Sequence, residues 1–102
     1  MLQEQRVDIF QTILSKREQI LQLAAQRKAY HVRVFGSVAR HEADQDSDVD
    51  FLVDFQPDYS LWDHIGLIQD LQALLGRKVD VAIEKNLHEK LRPAILRDAR
   101  EL

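Results

Sequence analysis

A short apolar segment that runs directly into a glycine constrains the fold of this chain more than any other feature. Val32 to Phe35 predicts a strand, and Gly36-Ser37 follows it as a turn into a helix. Glycine has no Cβ, so an anion can approach the backbone at this position. The amides that open the following helix can then point at a phosphate, helped by the positive end of the helix dipole. The segment therefore predicts a phosphate-binding turn.

Two carboxylates follow at the start of a second predicted strand. Asp48 and Asp50 lie two residues apart in an extended run that reaches Phe55, so both side chains project from the same face. Parallel carboxylates repel each other unless a positive charge lies between them. Mg²⁺ favours carboxylates together with the phosphate oxygens of a substrate. The turn and the acid pair together indicate nucleotide chemistry.

A third acid stands in another short predicted strand, Lys78 to Ile83. Asp80 lies on the face of this strand opposite its valines, and by itself it would most simply be a solvated residue. The earlier acidic strand has the same arrangement, because its apolar residues lie opposite its acids: Val49, Phe51, Val53 and Phe55. If the two strands are neighbours, the three carboxylates converge, and such a cluster can hold two metal ions.

The remaining periodicity predicts helices around these strands. One amphipathic helix is expected from about Gln3 to Lys28, with a buried stripe of Phe10, Ile13, Leu14, Ile20, Leu21 and Ala24. A short helix is expected near Val38 to Glu42. A longer one is expected from Leu61 to Leu75, with Gly76 as its stop and an inward stripe of Leu61, Ile65, Ile68, Leu71, Leu74 and Leu75.

Two further signals complete the predicted architecture. Asp58 or Ser60 can cap the start of the longer helix, and Pro93 is expected in the first turn of a short final helix. The element order αβαβαβα predicts an α/β (α+β) fold, in which helices pack on one face of a small mixed sheet.

The composition fits one small cytoplasmic domain that covers residues 1–102. A chain of 102 residues has room for a single core, and its lack of cysteine excludes disulfides and thiolate metal sites. No apolar run approaches the length of a membrane span, and the polar N-terminal residues do not resemble a signal peptide. The formal net charge of −3 argues against nucleic acid as the main partner, because phosphate binding normally requires a basic surface. The excess of acidic over basic residues therefore favours a nucleotide or a protein as the substrate.

The pattern Gly36-Ser37-x-Ala39-Arg40, followed by Ser47-Asp48-x-Asp50 and a later Val79-Asp80-Val81, resembles the minimal nucleotidyltransferases of the DNA polymerase β superfamily. The resemblance runs through nearly the whole chain, and it implies the polymerase β-type nucleotidyltransferase fold. One position departs from the family's pattern, because His41 stands where glycine is common after the Ala-Arg pair.

The resemblance implies a role for each residue of the pattern. The turn of Gly36 and Ser37 would bind the nucleotide triphosphate, and the catalytic acids Asp48, Asp50 and Asp80 would hold the metal, expected to be two Mg²⁺ ions. Arg40 lies one turn after Ser37, where it could reach a phosphate or instead pair with a nearby surface acid. The resemblance favours the phosphate.

Proteins that resemble this chain are commonly encoded beside a helical HEPN ribonuclease toxin and act as its antitoxin. Some of them transfer AMP to a tyrosine of the toxin (AMPylation). The leading interpretation is therefore a Mg²⁺-dependent antitoxin that uses ATP to adenylylate a HEPN partner and releases pyrophosphate. One alternative is an antitoxin that only occludes the toxin, through the first helix or through Trp62 and Tyr59. Another is a nucleotidyltransferase that acts on a small molecule or an RNA end.

Several other residues have simpler interpretations. The stretch from Asp44 to Asp50 is not a calcium loop, because glycine and the bidentate glutamate are missing at the required positions. Asp44 and Asp46 are then solvated loop acids, and Ser47 shapes the turn. The histidines do not have metal-ligand spacing and are expected to be structural or surface residues: His31, His41, His64 and His88.

Overall fold

A four-stranded mixed sheet lies at the centre of the computed structural model, which describes residues 8–102. Its strands are β1 (Ala29–Phe35), β2 (Val49–Phe55), β3 (Val79–Ile83) and β4 (Arg100–Glu101). They lie in the order β3-β2-β1-β4, with β1 antiparallel to both β2 and β4, and β2 parallel to β3. The predicted α/β class with a small mixed sheet is confirmed.

The first predicted helix is two helices, α1 (Ile9–Ser15) and α2 (Arg17–Gln26), which meet at Lys16. The prediction of one continuous helix is therefore wrong, and its part before Asp8 lies outside the described residues. The break lets the two segments pack on different elements, α1 on the turn after β1 and α2 on β1 itself. Of the predicted stripe, Leu14 is 41% exposed, because it lies about 100° around the helix from the buried Ile13.

One face of the sheet forms the core with α1, α2 and the helix α4 (Leu61–Leu75). The residues predicted to form the apolar faces of β2 and β3 are all buried: Val49, Phe51, Val53, Phe55, Val79, Val81 and Ile83. The acids of these strands consequently point away from the core, because side chains of a strand alternate between its two faces.

Helix α4 begins and ends where the sequence predicts. Ser60 and Asp63 form a capping box at its start, and Gly76 closes it in the left-handed conformation with φ 66°. The inward stripe is wrong at Leu61, which is 66% exposed, and it omits Leu67, which is fully buried. Leu61 precedes Leu67 by six residues, so it lies about 120° away from the buried side of the helix.

The other elements are short. A one-turn helix α3 (Gly36–Ala39) begins at the predicted glycine turn, slightly earlier than expected. A 3₁₀ turn (Glu84–Asn86) follows β3, and α5 (Arg92–Asp98) carries Pro93 in its first turn as predicted. The sequence does not predict β4, because its two charged residues lack apolar alternation. Within residues 8–102, every helix is too short or too polar to cross a bilayer.

Candidate active site

The glycine turn after β1 lies directly against the first acidic strand. Gly36 has φ 73°, a conformation that L side chains rarely adopt, and a Cβ there would lie 2.5 Å from Oδ2 of Asp50. The contact arises because β1 and β2 pair antiparallel, with Phe35 opposite Asp50. Only glycine therefore allows the turn and this carboxylate to approach so closely.

The parallel pairing of β2 with β3 brings two of the predicted acids side by side. Asp50 is the register partner of Asp80, and Asp48 immediately precedes β2 at the same end of the sheet. Burial raises the pKa of Asp50 above its ordinary value of 3.8, and the negative charges of Asp80 and Asp48 raise it further. The charges of Asp80 and Asp48 therefore both repel the charge of Asp50.

None of these three acids forms an ion pair with a residue in the range 8–102. Asp48 and Asp80 are exposed, and Asp50 is partly buried. A set of hard oxygen ligands with unbalanced negative charge suits a divalent cation such as Mg²⁺. A groove of about 400 Å³ runs beside Asp48, between the loop 45–48 and the turn 76–78.

Arg40 lies at the end of α3, where two carboxylates hold its side chain. Its Nε donates to Glu42 at 3.0 Å, and its Nη1 donates to Asp98 of α5 at 2.6 Å. These hydrogen bonds, first that to Glu42 and then that to Asp98, raise the pKa of Arg40. The positive charge of Arg40 also acts on Asp50. It lowers the pKa of that acid, but burial and the charges of Asp80 and Asp48 raise this pKa by more. Arg40 thus lies within electrostatic range of Asp50, while Glu42 and Asp98 already pair with its charge.

His41, the departure from the family pattern, takes the backbone conformation that glycine takes easily. Its φ is 60°, a value that is uncommon for a residue with a side chain. Its ring stacks on Phe10 with 5.2 Å between the ring centres, and its Nδ1 lies 2.6 Å from Oδ2 of Asp8. The histidine is structural, as predicted, and its contacts offset the strain of the turn.

The acidic loop before β2 is ordered by local hydrogen bonds. Oδ1 of Asp44 accepts from the amide of Asp46 and from the hydroxyl of Ser47, and these bonds lower the pKa of Asp44. Arg77 donates from Nη2 to the carbonyl of Asp44 at 2.7 Å. Ser47 shapes the turn, as expected, and the loop is tied to the segment that precedes β3.

The sequence did not indicate a second polar cluster on the sheet. Within residues 8–102, the potential metal-ligand atoms of His31, Asp54 and Glu84 all lie within 4.8 Å of one another. The carboxylates of the three predicted acids do not meet this distance, so they are more widely spaced than the atoms of this cluster. Arg33, which is 5% exposed, lies among them and donates to Glu84. Because Arg33 already supplies positive charge to Asp54 and Glu84, an ion-pair network explains this cluster better than a metal site does. The available signal was Arg33 itself, a charge within an apolar strand.

The start of α4 presents apolar surface. Trp62 is 74% exposed, so it does not belong to the core, and its contact with a partner stays a prediction. Tyr59 is partly buried and stacks on Phe55 with 4.5 Å between the ring centres. His64 is structural, since its Nε2 lies 2.7 Å from the carbonyl of Val81.

The family model of the nucleotidyltransferase domain matches residues 14–102. The chain is also similar to the protein adenylyltransferase MntA of Thermococcus cleftensis, with 44% identity over 75 residues, which cover 71% of this chain and 76% of that protein. The match includes most of both proteins, so the likeness extends beyond the short motifs.

Solved structures show the same fold. A protein described as a minimal nucleotidyltransferase matches with a TM-score of 0.83 and 44% identity, and covers 97% of this chain and 100% of its own. A chain of a toxin-antitoxin complex with AMP-PNP matches with a TM-score of 0.71 over 82% of this chain and 69% of that one. At 20% identity, this second likeness supports the fold alone.

Proposed function

Because this chain belongs to the nucleotidyltransferase domain family, we propose that it transfers AMP from ATP to a tyrosine of a partner toxin. The proposed partner is a HEPN ribonuclease, which the chain would neutralise as an antitoxin in a complex of the two proteins. The observation that carries the proposal is the contact of Gly36 with Asp50, which joins the predicted triphosphate turn to the predicted metal acids. The protein acceptor is supported by the relative that is named a protein adenylyltransferase.

The residues have separate roles in this proposal. The turn of Gly36 and Ser37 would hold the β- and γ-phosphates, and Arg40 would supply positive charge beside them. Asp48, Asp50 and Asp80 would hold Mg²⁺, which when bound neutralises phosphate charge and favours ionisation of the acceptor hydroxyl. Residues 1–102 would form one minimal nucleotidyltransferase domain.

The bond changes in the reaction balance without further reactants. The acceptor oxygen forms a bond to the α-phosphorus of ATP, and the bond from that phosphorus to the bridging oxygen of the β-phosphate breaks. Pyrophosphate leaves, and Asp80, which is exposed beside Asp50, can take the proton of the hydroxyl. Alignment of the reacting groups and preorganised charge would supply most of the rate.

A partner that completes the site is consistent with the form of this chain. Asp48 and Asp80 lie exposed at one end of the sheet, and the groove beside Asp48 is open. A small domain of this kind encloses little of a large acceptor by itself. The acceptor protein would therefore supply part of the wall around the reacting groups.

A second candidate function is neutralisation by occlusion, in which the antitoxin covers the toxin without modifying it. The observation that favours it is the exposed pair Leu61 and Trp62, at 66% and 74%, because large exposed apolar side chains commonly mark protein contacts. Occlusion would not need the three acids.

The test is transfer of label from α-³²P ATP, with Mg²⁺, to the helical protein encoded beside this chain. Asp48→Asn serves as the matched control, since it removes one carboxylate charge with little change in size. Label on the partner that is absent with Asp48→Asn is the expected result. Tight binding that silences the partner without label would contradict catalysis and support occlusion.

A further inference from the structure

Two carboxylates accept hydrogen bonds from the guanidinium of Arg40, and one of them belongs to a residue that is distant in the sequence. Asp98, the last residue of α5, accepts from Nη1 at 2.6 Å, across 58 positions of sequence. Glu42 accepts from Nε at 3.0 Å, only two positions away. The third nitrogen, Nη2, donates to none of residues 8–102 and is left for another acceptor.

The two carboxylate partners of Arg40 differ in how much their contact depends on the tertiary structure. Glu42 is 64% exposed and close in sequence, so its contact with Arg40 needs little of the tertiary structure. The side chain of Asp98 is 26% exposed and reaches Arg40 only because α5 packs against α3. A planar guanidinium held at two of its nitrogens has a fixed direction for the third, because its donors form a rigid fork.

We infer that Asp98 is a positioning residue, which orients Arg40 so that Nη2 is directed to a phosphate of the nucleotide bound at the Gly36 turn. The inference rests on the proposed function and assigns the C-terminal helix a part in nucleotide binding. The geometry beside it is local: the backbone amide of Arg40 donates to the carbonyl of Gly36 at 3.1 Å, and the two carboxylate partners of Arg40 do not use Nη2.

The opposite interpretation of the same contact makes a different prediction. If Asp98 sequesters Arg40, the carboxylate and the phosphate compete for the guanidinium, and removal of the carboxylate tightens nucleotide binding. If Asp98 positions Arg40, its removal weakens binding, because the free guanidinium must lose rotamer entropy when it meets the phosphate.

The experiment measures the Kd of the full chain for AMP-PNP with Mg²⁺ by titration calorimetry. We expect Asp98→Asn to weaken binding about fivefold, the factor for the loss of one well-placed exposed ion pair. We expect Asp98→Glu to restore binding to within about twofold of the unaltered chain. In an Arg40→Gln background, Asp98→Asn should have no further effect, since Asp98 acts through Arg40.

Two controls separate positioning from folding. Glu89→Gln removes an exposed acid that has no ion pair with residues 8–102, and it should leave Kd unchanged. Urea unfolding of each variant checks that weakened binding is not a loss of the folded state.

Three results overturn the inference alone: tighter binding by Asp98→Asn, unchanged binding by it, or a full effect that persists without Arg40. Absence of AMP-PNP binding by the unaltered chain overturns the proposed function, and the inference with it.

Discussion

Gly36 touches the carboxylate of Asp50 so closely that a Cβ on Gly36 would lie 2.5 Å from Oδ2 of that acid. The contact joins the turn after β1 to the strand that carries the acids, and it places the predicted phosphate and metal sites next to each other. Any side chain at position 36 must displace the carboxylate as well as adopt φ 73°.

Gly36→Ala is expected to destabilise the fold by about 2 kcal/mol and to abolish nucleotide binding, since strain in this region costs about 1 to 3 kcal/mol. Gly76→Ala is the matched control, because Gly76 has φ 66° but no atom within 4 Å of the point that a Cβ would occupy. It should cost about 1 kcal/mol from the backbone alone and preserve binding. Urea unfolding and AMP-PNP titration measure both effects, and equal behaviour of the two variants would refute a special contact at Gly36.

Asp50→Asn is expected to make the metal-free chain more stable at neutral pH while it abolishes AMP transfer. The folded-state pKa of Asp50 is raised, first by burial and then by Asp80 and Asp48, so the folded state binds the proton more tightly than the unfolded state. Its ionisation therefore lowers stability as pH rises from 3.8 through the folded-state pKa.

The gain in the free energy of unfolding from Asp50→Asn should accordingly be largest at neutral pH, and it should vanish as pH falls below 3.8. Urea unfolding in EDTA from acidic to neutral pH measures it, with Asp46→Asn as the exposed loop control. A gain that is equally large at all pH values would show that the charge of Asp50 is not its cause.

Glu84→Gln is expected to destabilise the fold by about 3 kcal/mol at neutral pH, because it leaves the buried Arg33 without its closest partner. The hydrogen bond from Arg33 lowers the pKa of Glu84 below its ordinary 4.5. The stabilisation is thus complete above pH 4.5 and is lost as pH falls through the folded-state pKa, where the variant and the unaltered chain should converge. A stability difference that persists below that folded-state pKa would argue against this ion pair.

Mg²⁺ is expected to raise the Tm of the chain through the three predicted acids and not through the His31 cluster. Asp48→Asn should abolish the shift, because binding to the folded state is the source of the stabilisation. His31→Gln should keep it, since Arg33 already supplies positive charge to Asp54 and Glu84. Differential scanning calorimetry with and without the ion distinguishes the sites, and loss of the shift in His31→Gln alone would move the metal site to that cluster.

His41→Gly and His41→Ala are expected to differ. Both lose the stacking on Phe10 and the hydrogen bond with Asp8, but only glycine relieves the strain of φ 60°. Alanine should therefore cost about 1 kcal/mol more than glycine, the usual penalty of this backbone region. Urea unfolding compares them, and equal losses would show that the backbone at position 41 is unstrained.

Much of the fold could be predicted from the sequence because local signals and the global pattern agree. Apolar alternation placed β2 at Val49–Phe55, and the caps and periodicity placed α4 at Leu61–Leu75, both as observed. Where a local signal was missing, the prediction failed: no residue in the first amphipathic run marks the break at Lys16, which separates two helices that pack on different elements.

The strands, the glycine turn and the spacing of the acids follow from the order of the residues alone, because backbone conformation and side-chain alternation depend on near neighbours. Folding of the chain was needed to pair Asp50 in register with Asp80, to bring Asp98 to Arg40, and to join four polar residues in one network: His31, Arg33, Asp54 and Glu84. These contacts join residues from separate elements, and strand order and helix packing, which no local pattern encodes, bring them together.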